Sequence, residues 1–292
     1  MRFINQIKPV RRALLIGSPG KDGRDYLYSP ETDVENIKNF LLSSRGGKWK
    51  KDEIITLWKP DFTTVASVIE ETIADYFFVY YADHGYETQS HARKICLNDN
   101  DISDFFLLNK SPRQLVILDC CREKEYPAIS GIPKDEEWLH FDGYYPEREA
   151  FDNFILRSPP GKKIIHATKS GYASWEDENG GGGVFTTSVL MAARKIKMEE
   201  AYSPISIERI LQKAKSIIEK SGDNQQPEIV YSKGDMNVPF ALYIKGARKM
   251  AYQNSVTSTL SRKIKRRESS DSGLLKAALL LFAVALIVDG ID

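Results

Sequence analysis

Two short segments carry residues that can do chemistry together. Ala82-Asp83-His84-Gly85 follows the apolar run Tyr76 to Tyr81, and Asp119-Cys120-Cys121-Arg122 follows the apolar run Gln114 to Leu118. The thiolate is the nucleophilic form of cysteine, and a nearby imidazole can take the thiol proton or stabilise the anion. After attack on a peptide carbonyl, the same imidazole can protonate the departing amine. The developing oxyanion needs donors already in place, and the backbone N–H groups of Gly85 and Cys121 are candidates. Gly85 also lets the chain run close to a substrate. Taken singly, a histidine at a strand end or a cysteine after an apolar run is usually structural. Two such residues, each at the carboxyl end of a buried strand, favour a catalytic pair.

The elements that must position them alternate. Ala13 to Gly17 reads as a buried strand, Thr32 to Leu42 as a helix with Val34, Ile37, Phe40 and Leu41 on one face, and Asp52 to Leu57 as a second strand. Thr63 is the expected cap of a helix over Thr64 to Asp75, before the third strand at Tyr76 to Tyr81. A short helix is expected over Ile102 to Leu108, a fourth strand over Gln114 to Leu118 and a fifth over Lys163 to Ala167. Helices follow over Phe185 to Ala193 and Ile207 to Ile218, and Phe240 to Ile244 reads as a last strand. Alternating β and α elements with continuous apolar strands imply an α/β fold, a mostly parallel sheet covered by helices on both faces. Ligands bind at the carboxyl ends of strands in such sheets, so His84 and Cys121 should share one edge.

Composition narrows the class. The 292 residues are 42% hydrophobic and 28% charged with a net charge of +1, which suits a globular body and gives no basic surface for nucleic acid. Three cysteines, Cys96, Cys120 and Cys121, do not make a disulfide framework, so a reducing, cytoplasmic setting is expected. Met1 to Arg12 has no apolar core of a secretory signal. His91, His140 and His166 show no metal-ligand spacing with the cysteines, so no metal site is expected. Gly273 to Val288 is apolar apart from Lys276 and follows the basic run Arg262 to Arg267. It falls short of the roughly 20 residues of a usual span. Two readings stay open: a membrane anchor holding the body on the cytoplasmic face, or a helix docked on the body or on a partner.

Beyond these residues, the sequence resembles the caspase-like cysteine peptidases, which include caspases, metacaspases and paracaspases. Y-A-D-H-G is similar to the family's histidine motif, and D-C-C-R to its cysteine motif, in which Cys121 rather than Cys120 is the nucleophile. The opening A-L-L-I-G with T-D-V, the stretch H-A-T-K-S-G-Y-A-S-W-E-D with G-G-V-F-T-T-S-V-L, and Q-Q-P-E with V-P-F-A-L resemble further family segments. The His–Cys interval is shorter than the roughly 50 residues of caspases, and Glu123 stands where a glycine is expected, which favours a metacaspase- or paracaspase-like member.

The resemblance implies a three-layer caspase-like fold. Residues 1–247 would form the peptidase domain: a large-subunit-like part (10–122), an insertion (123–162) and a small-subunit-like part (163–247). A charged linker (248–272) and a hydrophobic helix (273–288) would follow. It implies cysteine endopeptidase activity through His84 and Cys121 on protein or peptide substrates, in regulated cell death or defence, with no required cofactor. Asp33, Asp119 and Glu176 would line the pocket for the residue before the cut bond and select Arg or Lys. Leu27 stands where aspartate-cutting caspases carry an arginine, with Arg24 nearby. Self-cleavage at Lys124, Lys134, Arg148 or Arg157, Ca²⁺ binding at Asp135-Glu136-Glu137 and an upstream activating partner are further expectations. Two rivals stay open: a catalytically silent caspase-like scaffold, and a membrane-acting effector working through the C-terminal helix.

Overall fold

Strands with nearly continuous apolar runs must be covered on both faces, and four strands with such runs form the centre of this protein. The computed structural model describes residues 8–20, 26–122, 146–176, 182–221 and 223–245. Its elements run β1 (Arg11–Gly17), α1 (Ser29–Leu42), β2 (Ile54–Trp58), α2 (Phe62–Glu71) and β3 (Tyr76–Ala82). A small sheet follows, β4 (Gly85–Glu87), β5 (Arg93–Cys96) and β6 (Asp101–Ser103), and then β7 (Arg113–Asp119). The second half holds α3 (Pro146–Arg157), β8 (Gly161–His166), α4 (Val184–Lys195), β9 (Pro204–Ile205), α5 (Ile207–Ser221), β10 (Glu228–Gly234) and β11 (Ala241–Leu242).

The main sheet has six strands in the order β10-β8-β7-β3-β1-β2. All neighbours are parallel except β10, which runs antiparallel to β8 at the edge. Alternation along the strands divides the core into two layers. Phe78, Tyr80, Leu115 and Ile117 face Val34, Phe40, Phe151, Phe185, Val189 and Ile210 from α1, α3, α4 and α5. Phe77, Val79, Tyr81, Val116 and Leu118 face Val65 and Ile69 of α2 and Ile95 and Ile102 of the small sheet. The result is the expected three-layer α/β sandwich. The compact unit holding every element is Met1–Ile244; the second unit, Lys245–Asp292, lies almost wholly outside the described residues, as does the proposed helix at 273–288.

Several local expectations need correction. The cap of α2 is Asp61, whose side chain accepts from Thr64 N–H at 2.7 Å, and the helix stops at Glu71. Aspartate is a stronger N-cap than the Thr63 favoured by the apolar pattern. The expected helix over Ile102 to Leu108 is β6 followed by a single 3₁₀ turn, Asp104–Leu107, capped by Ser103. The insertion 123–162 contains α3 and the start of β8. Strand β10 was not anticipated, and Ala241–Leu242 pairs with β9 in a separate two-stranded ribbon rather than closing the main sheet.

Candidate active site

The site is built from the ends of two neighbouring strands. β3 and β7 pair in parallel from Phe77↔Gln114 to Ala82↔Asp119. Asp83 N–H then reaches back to Asp119 O at 3.4 Å. His84 and Cys121 each stand two residues beyond the same last rung, so the topology brings both to one edge of the sheet.

His84 is half-buried and its backbone is held on both sides. Its N–H donates to Asp83 Oδ1 at 2.6 Å. Its carbonyl accepts from the Tyr81 hydroxyl at 2.7 Å and from Cys96 N–H at 3.1 Å. Burial raises the Asp83 carboxyl to about 6, against the pull of the His84 N–H, Ser18 and Lys59.

The adjacent cysteines take opposite directions, as successive residues of an extended chain must. Cys120 is 2% exposed and packs in the core layer under the small sheet. Burial pushes its thiol far above the ordinary range. Cys121 is half-buried, and its Sγ accepts Ser174 N–H at 3.3 Å and lies 3.6 Å from Ser174 O. The third thiol, Cys96, is pushed up to about 12 by burial and by Asp101. Gly85 begins β4, paired with Ile95.

The three acids proposed for the substrate pocket converge around Gly183, at the start of α4. Asp33, 1% exposed, accepts Gly183 N–H on both oxygens at 2.9 Å. Asp119 accepts from the Thr186 hydroxyl at 2.7 Å, from Thr186 N–H at 3.3 Å and from the Ser174 hydroxyl at 2.7 Å. Glu176 accepts Ser29 N–H at 2.8 Å and its backbone bridges Gly183. The N-terminal amides of α4 suit anions there. Even so, burial and then the neighbouring Asp119 carboxylate hold Asp33 well above the usual carboxylate range. Asp119 is raised too, chiefly by burial. Among the described residues no Lys or Arg pairs with any of the three. The glycines are needed: a Cβ at Gly182 (φ +108°) would lie 2.4 Å from Asp33 Oδ1, and one at Gly183 would lie 2.7 Å from Asp119 Oδ2.

Sequence reasoning did not single out Ser174, Thr186 or Gln225. Ser174 touches both the Cys121 sulfur and the Asp119 carboxylate, and Gln225 Nε2 fixes it by donating to Ser174 Oγ at 2.8 Å and to Ala167 O at 3.0 Å. The A-S-W-E and Q-Q-P segments already quoted carried that signal. Arg24, Lys124, Lys134 and Asp135 to Glu137 lie outside the described residues. Among the described residues, no cluster of three His, Cys, Asp or Glu could hold a metal, and no helix is long and apolar enough to cross a membrane.

A mostly parallel six-stranded sheet covered on both faces defines a three-layer α/β protein, with His84 and Cys121 just beyond the ends of adjacent strands. The family model for the caspase domain of C14 peptidases matches residues 10–236, and the chain belongs to that family. It is thereby a cysteine peptidase in kind. A crystal structure of caspase-1 from Spodoptera frugiperda has the same fold. It is 15% identical, with 81% of this chain and 90% of that one covered and a TM-score of 0.50. No curated protein matches the chain.

Proposed function

We propose that the protein is a cysteine endopeptidase that cuts proteins after Arg or Lys, with Cys121 as nucleophile and His84 as its base. His84 draws the proton from the Cys121 thiol, and the sulfur attacks the scissile carbonyl to give a tetrahedral oxyanion. The N–H groups of Gly85 and Cys121 receive that oxyanion. The amine leaves with the proton returned by His84, and water, activated by the same ring, hydrolyses the thioester. The single observation behind this is the Ala82↔Asp119 rung, the last of the β3–β7 ladder, which both His84 and Cys121 follow by two residues. The preference for Arg or Lys rests on Asp33, Asp119 and Glu176, gathered without a basic partner among the described residues. A basic side chain would supply the cation such a pocket lacks.

No cofactor is needed for these steps. The role in regulated cell death or defence, the dependence on an activating partner and Ca²⁺ binding at Asp135 to Glu137 remain proposals from the family resemblance. The basic run before residue 273 places the body on the cytoplasmic side of any membrane that 273–288 enters.

The test is a panel of fluorogenic peptides varied at the residue before the cut, run beside labelling with a peptidyl chloromethyl ketone. Cleavage after Arg or Lys with label on Cys121 is expected. Preference for Asp would overturn the specificity. Absence of both hydrolysis and label on Cys121 would overturn the enzyme and leave the scaffold.

A further inference from the structure

Arg122 follows the proposed nucleophile directly, yet it is only 5% exposed. One guanidinium nitrogen donates to Glu87 Oε2 at 2.6 Å. The other donates to Thr168 O at 3.3 Å and to Glu228 Oε1. Its backbone is held as well: Arg122 N–H donates to Tyr172 O at 3.0 Å, and Arg122 O accepts Gly171 N–H at 3.2 Å. Glu87 closes β4, the strand that starts directly after His84. Its second oxygen accepts from Ser170 Oγ at 2.8 Å and lies 2.7 Å from His91 Nδ1.

We propose that the Glu87–Arg122 ion pair is a positioning device that sets the separation of His84 and Cys121. The inference rests on reading those two residues as the catalytic pair. Before the pair, the β3–β7 ladder ties the two segments together, and its last rung is Ala82↔Asp119. Beyond that rung the backbone ladder ends, because β4 turns away to pair with β5, and Gly85 only touches Cys120. His84 and Cys121 are each held by their own neighbours, but those contacts do not join one segment to the other. Glu87–Arg122 supplies the second tie, so His84 and Cys121 lie on opposite sides of a closed ring. Through Thr168, Gly171 and Tyr172, the same arginine also fixes the loop that carries Ser174 onto the Cys121 sulfur.

The chemistry suits a fixed tie. Both side chains are 6% exposed, and without Glu87 the buried Arg122 charge would keep only Glu228, which is 40% exposed, as its counter-charge. Burial alone would raise the Glu87 carboxyl, but hydrogen bonds from His91, Ser170 and Arg122 outweigh it and bring it down to about 2. The clamp therefore stays charged at any pH where the enzyme would be assayed. A change in the pH–rate profile of a clamp variant then reports on the catalytic pair rather than on Glu87.

Glu87→Gln keeps the shape and removes the charge. Its kcat on the cleaved peptide should fall on the order of 100-fold, with KM within about 3-fold, since misplacing a reacting group acts on the chemical step. The rate of Cys121 alkylation by iodoacetamide, measured without substrate, should fall and its pH profile should shift. Arg122→Gln, which also gives up Thr168 O and Glu228, should fall at least as far, and the double variant should lose no more than that single one, as partners of one interaction do. Arg122→Lys should recover part of the loss. Circular dichroism separates these effects from unfolding. If Glu87→Gln does not fold, Glu87→Asp keeps the charge, shortens the reach and should show the same fall in kcat. Wild-type kcat in a folded Glu87→Gln or Glu87→Asp, a loss confined to KM, or additive losses in the double variant would overturn the clamp. The underlying reading fails separately: a wild-type Cys121 that neither hydrolyses peptides nor alkylates ahead of Cys96 removes the dyad itself.

Discussion

Gly85 and Cys120 touch back to back, so that a Cβ added at Gly85 would lie 2.6 Å from Cys120 Sγ and 3.0 Å from Lys94 O. The buried cysteine thus sets how closely β4 approaches the end of β7, while its neighbour Cys121 faces the site. Gly85→Ala should push the His84 segment away from β7 and lower kcat/KM about 10- to 100-fold, the scale of an ångström-sized displacement. Cys120→Ala removes the nearest atom, so the double variant should recover part of that loss. Peptide hydrolysis by the three proteins checks this, and a fully active Gly85→Ala would show that the contact yields freely.

The same arrangement predicts how the thiols react. Cys120 is buried and Cys96 is raised to about 12, so neither offers thiolate near neutral pH. One equivalent of iodoacetamide should modify Cys121 alone, read by mass spectrometry of the digested protein. Cys121→Ala should fold normally, lose all hydrolysis and take up no label at that dose. Cys120→Ala should stay active, with a stability cost of roughly 1–2 kcal/mol from the lost packing. Label on Cys120 ahead of Cys121 would reverse the assignment.

Legibility in the sequence followed burial. β1, β3, β7 and β8 were readable because central parallel strands carry nearly unbroken apolar runs. β10, with the sequence EIVYSKG, was not, because an edge strand pairs on one side only and is half exposed. The small sheet β4–β6 is too short to show a period, and the helical pattern of α3 sits in an acidic, proline-containing stretch. His84 and Cys121 stood out because both end apolar strands. Asp33, Asp119 and Glu176 came only through the family resemblance, since Asp33 and Asp119 lie far in the chain from their meeting point, Gly183, and no local pattern marks Glu176. The Glu87–Arg122 pair left no trace, because an ion pair between distant segments has no local pattern to read.

The pocket acids give a pH-dependent prediction. Asp33 and Asp119 are raised above their ordinary value of 3.8, mainly by burial, so they keep protons that free carboxyls would have lost. A basic substrate side chain favours the ionised form, and its binding must release those protons. Affinity for an Arg peptide should therefore increase with pH, and KM should fall with rising pH more steeply than for a neutral peptide. Asp119→Asn should remain folded, because it removes a buried charge without a basic partner among the described residues, and should raise KM for Arg peptides about 10- to 100-fold. An unchanged KM in that variant would place the basic side chain elsewhere.

Asp83 yields a prediction about stability rather than rate. Its carboxyl rises from 3.8 to about 6 because it is buried, and the His84 N–H and Ser18 only partly offset this. Between those two values the folded protein keeps a proton that the unfolded chain gives up. Unfolding free energy therefore declines as pH rises through that window, the reverse of a carboxylate held down by a salt bridge. Asp83→Asn cannot titrate and lacks this decline. Relative to Asp83→Asn, the wild type should lose on the order of 3 kcal/mol between about pH 4 and pH 7. Paired denaturant titrations across that range measure the difference directly. A constant gap between the two proteins would mean that Asp83 titrates like an exposed carboxyl, and that the His84 N–H rests on a group free to move.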